Sequence, residues 1–106
     1  MKALVIDDER VYHTIMERML SPIDGVEAVS CHARPDEALD HLRRHPADIA
    51  FIDIQIGQEN GLDVARQLRS AHPDLEIVFV TSHKQFAADS FESSPLDYMV
   101  KPVSQR

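Results

Sequence analysis

The sequence has few cysteines, few basic residues and no long apolar run, and each shortage argues against a class of protein. The single cysteine, Cys31, cannot form an internal disulfide, and such usage favours a reducing compartment. No apolar run approaches the roughly 20 residues that a membrane span requires. The N-terminus becomes acidic at Asp7, before a signal-peptide core can form. We therefore expect a cytoplasmic protein with no membrane partner.

The charge balance disfavours direct binding of nucleic acid by this chain. Its 106 residues include 11 Lys and Arg against 18 Asp and Glu, a formal net charge of −7. Affinity for a phosphate backbone comes largely from clustered Lys and Arg. Any role in DNA binding therefore has to belong to another part of a longer protein. Without a repeat, linker or low-complexity tract, residues 1–106 are interpreted as one domain.

Short apolar runs alternate with amphipathic stretches of helical length. The runs typical of buried strands are 2–7, 26–31, 48–53, 75–81 and 96–100. The stretches that predict helices are 9–20, 35–44, 61–70 and 84–92, and a polar loop is predicted at 55–60. Because parallel strands need crossover connections, this alternation predicts an open, doubly wound α/β fold with a parallel sheet.

Polar residues follow four of the five predicted strands. Asp7 and Asp8 follow the first strand, Asp53 ends the third, Thr81 ends the fourth and Lys101 follows the fifth. In an open parallel sheet the carboxyl ends of the strands meet at one edge, where ligands bind. The three carboxylates are therefore predicted to cluster there and to bind a hard divalent cation, Mg²⁺ above all.

Each of these residues also has an ordinary structural interpretation when it is taken alone. Asp8 is a suitable helix N-cap, and Asp53 is a suitable first residue of a loop. Thr81 suits the end of a strand, and a lone lysine such as Lys101 is usually a solvated surface charge. We favour the functional interpretation because all of these positions converge on one edge of the predicted sheet.

Four segments of the sequence resemble the receiver domain of two-component response regulators. They are Ile6-Asp7-Asp8-Glu9, Phe51-Ile52-Asp53-Ile54, Val80-Thr81-Ser82 and Asp97-Tyr98-Met99-Val100-Lys101-Pro102. The resemblance implies a flavodoxin-like sheet of five parallel strands in the order 2-1-3-4-5. It implies that Asp53 is the phosphoacceptor, that Asp8 binds Mg²⁺ directly and that Asp7 binds it through water. The backbone carbonyl of Gln55 would complete the metal site.

The resemblance also implies a signalling role in place of enzymatic turnover of an external substrate. A sensor histidine kinase would supply the phosphoryl group from a phosphohistidine, and Thr81 and Lys101 would contact its oxygens. Thr81 and Tyr98 would then change the surface of the domain, although Tyr98 also suits plain packing in the fifth strand. Gln55 and His83 occupy positions that tune the phosphoryl lifetime in the family. For His83 the alternative is a simply exposed side chain.

The sequence departs from the family pattern at three places. Gly57 stands where many receivers have proline, which predicts a more flexible loop. Ser82 is still small enough to leave access to the phosphoryl open. The chain ends at Arg106, short of the fifth helix with which receivers usually finish. From that truncation we expect an exposed sheet face, covered in a homodimer or by domain swapping.

The stretch 86–98 resembles regulators of the LytR/AlgR type, which implies a DNA-binding output domain absent from this chain.

Other functions fit the residues less well. A flavin-binding module needs a phosphate loop after the first strand, where Asp7-Asp8-Glu9 would repel phosphate. A phosphatase of the haloacid dehalogenase type needs Asp-x-Asp, and this chain has Gln55 at the second position. A degenerate receiver used only for binding would not need the full set of acids, Thr and Lys. His41 and His45 have the spacing of a transition-metal pair, but no third ligand is evident from the sequence, which favours a solvated helix face.

Overall fold

The computed structural model describes residues 1–81 and 97–100, and within them it contains three helices and seven strands. The helices are α1 (Arg10–Leu20), α2 (Pro35–Arg44) and α3 (Gly61–Ala71). The strands are β1 (Lys2–Ile6), β2 (Ala28–His32), β3 (Ile49–Asp53), β4 (Gln55–Ile56), β5 (Glu59–Asn60), β6 (Glu76–Thr81) and β7 (Asp97–Val100).

Five of these strands form one parallel sheet in the order β2-β1-β3-β6-β7. Since β6 and β7 are the fourth and fifth predicted strands, the predicted order 2-1-3-4-5 is confirmed. The remaining two strands, β4 and β5, pair with each other in an antiparallel hairpin.

The sheet is covered on both faces, as the nearly continuous apolar strands predicted. Alternate residues of β1 enter different cores because successive side chains of a strand point to opposite faces. Leu4 and Ile6 pack with residues of α2 and α3, including Leu42 and Leu68. The other residues of β1, Ala3 and Val5, pack with α1 through Met16 and Leu20. The fold is therefore doubly wound.

Several predicted boundaries differ from the structure. The second strand begins at Ala28 and not at residue 26, because β1 begins at Lys2 and Lys2 pairs with Ala28. The prediction of a loop at 55–60 is wrong, since this segment forms the β4–β5 hairpin. Val11, an apolar residue within α1, is 59% exposed. Glu9 and not Asp8 is the N-cap of α1, and its side chain makes no capping hydrogen bond.

Some sequence predictions lie outside the described residues. These are the helix at 84–92, the positions of Ser82 and His83, and Lys101 with the residues that follow it. None of the described helices is long and apolar enough to cross a membrane.

Candidate functional site

The register of the sheet brings the predicted site positions to one edge. Ile6 pairs with Ile52, so that Asp7 and Asp53 follow paired residues of β1 and β3. Asp53 pairs with Val80, the residue before Thr81. Thr81 in turn pairs with Val100, the last residue of β7. The carboxyl ends of four parallel strands thus lie side by side, which is where an open α/β sheet binds its ligands.

Four acidic side chains meet at this edge. Asp7, Asp8, Glu9 and Asp53 each offer a carboxylate oxygen, and these oxygens lie within 4.8 Å of one another. Asp7 is 3% exposed and Asp53 6%, whereas Asp8 and Glu9 are exposed. Buried like charges at such separations repel strongly unless a positive charge joins them. The arrangement suits a cation that approaches from the solvent side.

Backbone N–H groups hold the three aspartates in position. The N–H of Glu9 donates to Asp7 Oδ1 at 2.9 Å, and the N–H of Gln55 donates to Asp53 Oδ1 at 3.2 Å. The N–H of Gly57 donates to Asp8 Oδ2 at 3.0 Å. Hydrogen bonds to an ionised carboxylate stabilise its charged form. The local backbone therefore orients the carboxylates and offsets part of their repulsion.

The β4–β5 hairpin supplies one of these donors across a long sequence separation. Gly57 lies at its tip with a φ of +60°, a conformation that glycine adopts without steric cost. This backbone conformation accompanies the hydrogen bond from the Gly57 N–H to Asp8. The glycine that the sequence indicated as a departure from the family pattern thus contacts the acidic cluster directly.

Asp7 has further contacts that sequence reasoning missed. Its backbone N–H donates to the carbonyl of His32 at 3.0 Å, and its own carbonyl lies 2.6 Å from Nε2 of His13. Since a carbonyl oxygen only accepts, Nε2 of His13 is the donor in this contact. No periodic pattern in the sequence indicated either histidine. Both contacts depend on the packing of α1 and β2 against β1.

The N-terminus of α3 approaches Asp53 so closely that only glycine fits at its first residue. A Cβ at Gly61 would lie 2.0 Å from the backbone oxygen of Asp53. Asn60 caps the helix, since its side chain accepts a hydrogen bond of 2.8 Å from the N–H of Leu62. Sequence reasoning also missed Gly61. The available signal was an Asn-Gly pair at the start of an amphipathic helix.

For four other predicted site residues, the structure describes either the backbone alone or nothing. The backbone of Thr81 ends β6, and the backbone of Tyr98 pairs with Phe79. The side chains of Thr81 and Tyr98 lie outside the described part of the structure, as do His83 and Lys101 entirely.

Comparison with known families agrees with this geometry. A family described as the response regulator receiver domain matches residues 3–106. The chain belongs to the response regulator receiver domain family. It is 33% identical to the transcriptional regulatory protein LytR of Staphylococcus aureus over 106 residues, which is 100% of this chain and 43% of that protein. The receiver domain thus spans less than half the length of the curated relatives it matches, and the predicted resemblance to LytR-type regulators is confirmed.

Solved receiver structures share the fold. A response regulator from Burkholderia pseudomallei, with a phosphorylated aspartic acid, a calcium ion and citrate, is 26% identical with a TM-score of 0.83, covering 98% of this chain and 61% of its own. The response regulator TrrA of Thermotoga maritima, in complex with Mg²⁺ and BeF, is 25% identical with a TM-score of 0.81, covering 94% of this chain and 85% of its own. This receiver domain therefore belongs to a two-component signalling family.

Proposed function

We propose that this receiver domain is a signalling phosphoacceptor that takes a phosphoryl group onto Asp53. The observation that carries the proposal is the set of four carboxylates within 4.8 Å at the edge of the sheet, with Asp53 among them and 6% exposed. A phosphorylated aspartic acid in the Burkholderia relative and the Mg²⁺–BeF complex of TrrA support it. The domain catalyses its own phosphorylation and dephosphorylation and turns over no external substrate.

The donor set fits Mg²⁺. Carboxylate oxygens are hard ligands, and Mg²⁺ prefers one or two of them together with water and phosphate oxygens. Asp8 and Asp53 are the proposed direct ligands, Asp7 acts through water and the backbone carbonyl of Gln55 completes the set. When bound, Mg²⁺ neutralises charge on the carboxylates and on the incoming phosphoryl oxygens.

The transfer step is a substitution at phosphorus. A carboxylate oxygen of Asp53 attacks the phosphorus of a phosphohistidine on a sensor kinase, and the new O–P bond forms as the N–P bond breaks. The electron pair of that N–P bond leaves with the histidine nitrogen. The Gln55 N–H, 3.2 Å from Asp53 Oδ1, helps to hold the carboxylate while it reacts. Positioning and charge stabilisation supply most of what a protein contributes to such a transfer.

Thr81 and Lys101 are proposed to bind the phosphoryl oxygens after transfer. The pairing of Thr81 with Val100, the residue before Lys101, supports a common location for them at the edge where β3 ends in Asp53. The added group carries up to about two negative charges. Contacts from Thr81 to this group would favour a second packing in which Tyr98 moves, and the surface of the domain would change by a population shift. Gln55 and His83 are the proposed determinants of the phosphoryl lifetime.

The partners follow from the same proposal. A sensor histidine kinase supplies the phosphoryl group, and an output domain reads the changed surface. LytR is named a transcriptional regulatory protein, which supports a DNA-binding output domain outside this chain. The excess of 18 acidic over 11 basic residues agrees with that division of roles, since affinity for a nucleic-acid backbone comes largely from Lys and Arg.

The proposal is tested by intact-mass spectrometry after incubation with acetyl phosphate and Mg²⁺. The wild-type domain is expected to gain the mass of one phosphoryl group, and the Asp53→Asn variant is expected to gain none. Asp63→Asn is the matched control, because Asp63 is an exposed acid on α3 whose charge is paired with Arg66. It should be phosphorylated like the wild type.

Two further experiments test the requirement for Mg²⁺ and the lifetime of the phosphoryl adduct. EDTA or Asp8→Asn should abolish the adduct if Mg²⁺ is required. The decay of the adduct should change in a His83→Ala variant, and an unchanged decay would rule out a role for His83. An adduct on Asp53→Asn, or an undiminished adduct in EDTA, would contradict the proposed site.

A further inference from the structure

We propose that His32, His41 and His45 form a second metal site, which binds a divalent transition metal such as Zn²⁺ through imidazole nitrogens. The site lies between the edge strand β2 and helix α2. Its ligand chemistry differs from that of the acidic cluster, because imidazole prefers zinc, nickel and copper whereas carboxylates prefer Mg²⁺. The proposal does not depend on phosphorylation of Asp53.

The three rings are in consecutive contact. The ring centroids of His41 and His45 are 4.9 Å apart, as are those of His32 and His41. His41 lies in the last turn of α2, and His45 is the C-cap residue that follows the helix, so that the two have the i, i+4 spacing of a zinc-binding histidine pair. The sequence offered only that pair, and the structure adds His32 from the end of β2 as a third ring. Three protein imidazoles with one open position are a known zinc arrangement.

The surroundings favour rings that can bind a metal. A metal ligand must be a neutral imidazole, and the pKa values of His32 and His41 are both lowered, chiefly by burial and then by the neighbouring histidine. The charge of Glu37 acts to raise the pKa of His32, and the charge of Asp40 acts to raise the pKa of His41. The charge of Asp40 is paired with that of Arg44 at 2.8 Å, so that Glu37 is the acid that adds negative potential near the site.

A second interaction orients His32. The hydroxyl of Ser30 lies 2.7 Å from Nε2 of His32. Hydrogen bonds of this kind commonly hold one ring nitrogen of a metal-binding histidine while the other nitrogen coordinates. Nδ1 is therefore the proposed donor atom of His32.

Metal binding requires the rings to turn, and the structure has room for that. Among the described residues, only the acidic cluster already has three or more donor atoms within reach of one ion. His41 and His45, however, line a cavity of about 370 Å³ between α2 and the β1–β2 edge. His45 is exposed and His41 half-buried, so that rotation of their side chains disrupts no packed core. Bound metal would then clamp the edge strand β2 to α2.

The test is calorimetric titration of the domain with Zn²⁺ in the presence of excess Mg²⁺, which occupies the acidic cluster. We expect one Zn²⁺ per chain. Loss of even an outer-shell partner typically weakens metal affinity about 10- to 100-fold. His32→Gln, His41→Gln and His45→Gln are therefore each expected to weaken Zn²⁺ binding by about tenfold or more. His72→Gln is the matched control, because His72 lies beyond the end of α3, and it should leave the affinity unchanged.

A spectroscopic arm identifies the ligands without any substitution. Ring ¹⁵N shifts of His32, His41 and His45 should change on addition of Zn²⁺ to the wild-type domain, while those of His72 should not. Absence of Zn²⁺ binding in excess Mg²⁺ would overturn the proposal. An undiminished affinity of His32→Gln would also overturn it, as would an equal loss in His72→Gln.

Discussion

Replacement of Gly61 by alanine is predicted to destabilise the domain and to displace Asp53. The added Cβ would lie 2.0 Å from the backbone oxygen of Asp53, and ordinary contact begins at 3.4 Å. The two atoms would have to separate by 3.4 − 2.0 = 1.4 Å. The atom that has to move belongs to the backbone of β3 and not to a flexible side chain. The displacement is therefore transmitted to the residue proposed to accept the phosphoryl group.

The magnitude follows from two opposing effects. Overpacking a well-packed core costs about 1–3 kcal/mol, and a forced backbone shift belongs at the upper end of that range. Alanine also reduces the entropy of the unfolded chain, which offsets about 0.4–1 kcal/mol. We therefore expect Gly61→Ala to lower the free energy of unfolding by about 2 kcal/mol or more, out of the 5–15 kcal/mol typical of a domain.

Urea unfolding followed by circular dichroism measures this change, and the initial rate of phosphorylation by acetyl phosphate measures the displacement. A misplacement of about 1 Å can reduce a reaction rate about 10²-fold. Gly25→Ala is the matched control, since Gly25 has a φ of +93° and no atom within 4 Å of an added Cβ. It should lose about 1 kcal/mol through backbone strain alone and keep the phosphorylation rate. A Gly61→Ala variant as stable as the wild type would refute the reasoning.

The remaining predictions concern α3 and the free thiol. Asn60→Ala should lower the free energy of unfolding by about 1 kcal/mol in urea, because the capping bond to the Leu62 N–H is lost, while Asn60→Ser should retain most of it. Burial, followed by the charge and hydrogen bond of Glu17, raises the pKa of the Cys31 thiol from 9.0 to about 12. The folded domain should therefore react slowly with iodoacetamide at pH 8 and faster in urea, and equal rates would contradict this. Because the folded pKa is the higher one, the contribution of Cys31 to stability is complete below about pH 9 and is lost as the pH rises towards about 12.

The architecture was accessible from the sequence because its signals are local. Apolar runs such as 48–53 and 75–81 are too short for helices and too continuous for half-exposed strands. Alternation with amphipathic stretches leaves a parallel sheet as the arrangement that covers them. Boundaries were less accessible, since β2 begins only where Lys2 supplies a pairing partner for Ala28.

The prediction for 55–60 shows that local residue composition alone does not distinguish a loop from a short hairpin. Polar residues around a glycine predicted an irregular loop, but Gln55 and Ile56 pair with Asn60 and Glu59. Ile56 is 3% exposed and belongs to the core formed with α2 and α3. Burial of that one apolar side chain gives the hairpin an anchor, which a count of polar residues does not reveal.

By itself, the sequence determined which chemical groups are available at the edge of the sheet and in which order. Asp7, Asp8 and Asp53 follow apolar strands, and strand-end residues of a parallel sheet converge whatever the details of packing. The choice of a hard, oxygen-ligated cation follows from those residue types alone.

Only the tertiary structure decided how these groups differ from one another. It buries Asp7 and Asp53 while leaving Asp8 exposed, and it brings Gly61 against the backbone of Asp53. It also brings His32 against His41 of α2. Such contacts join residues that are distant in the chain, and they depend on strand register and on how each helix packs against the sheet. No local pattern of residues specifies those quantities, because they result from the burial of the whole apolar core.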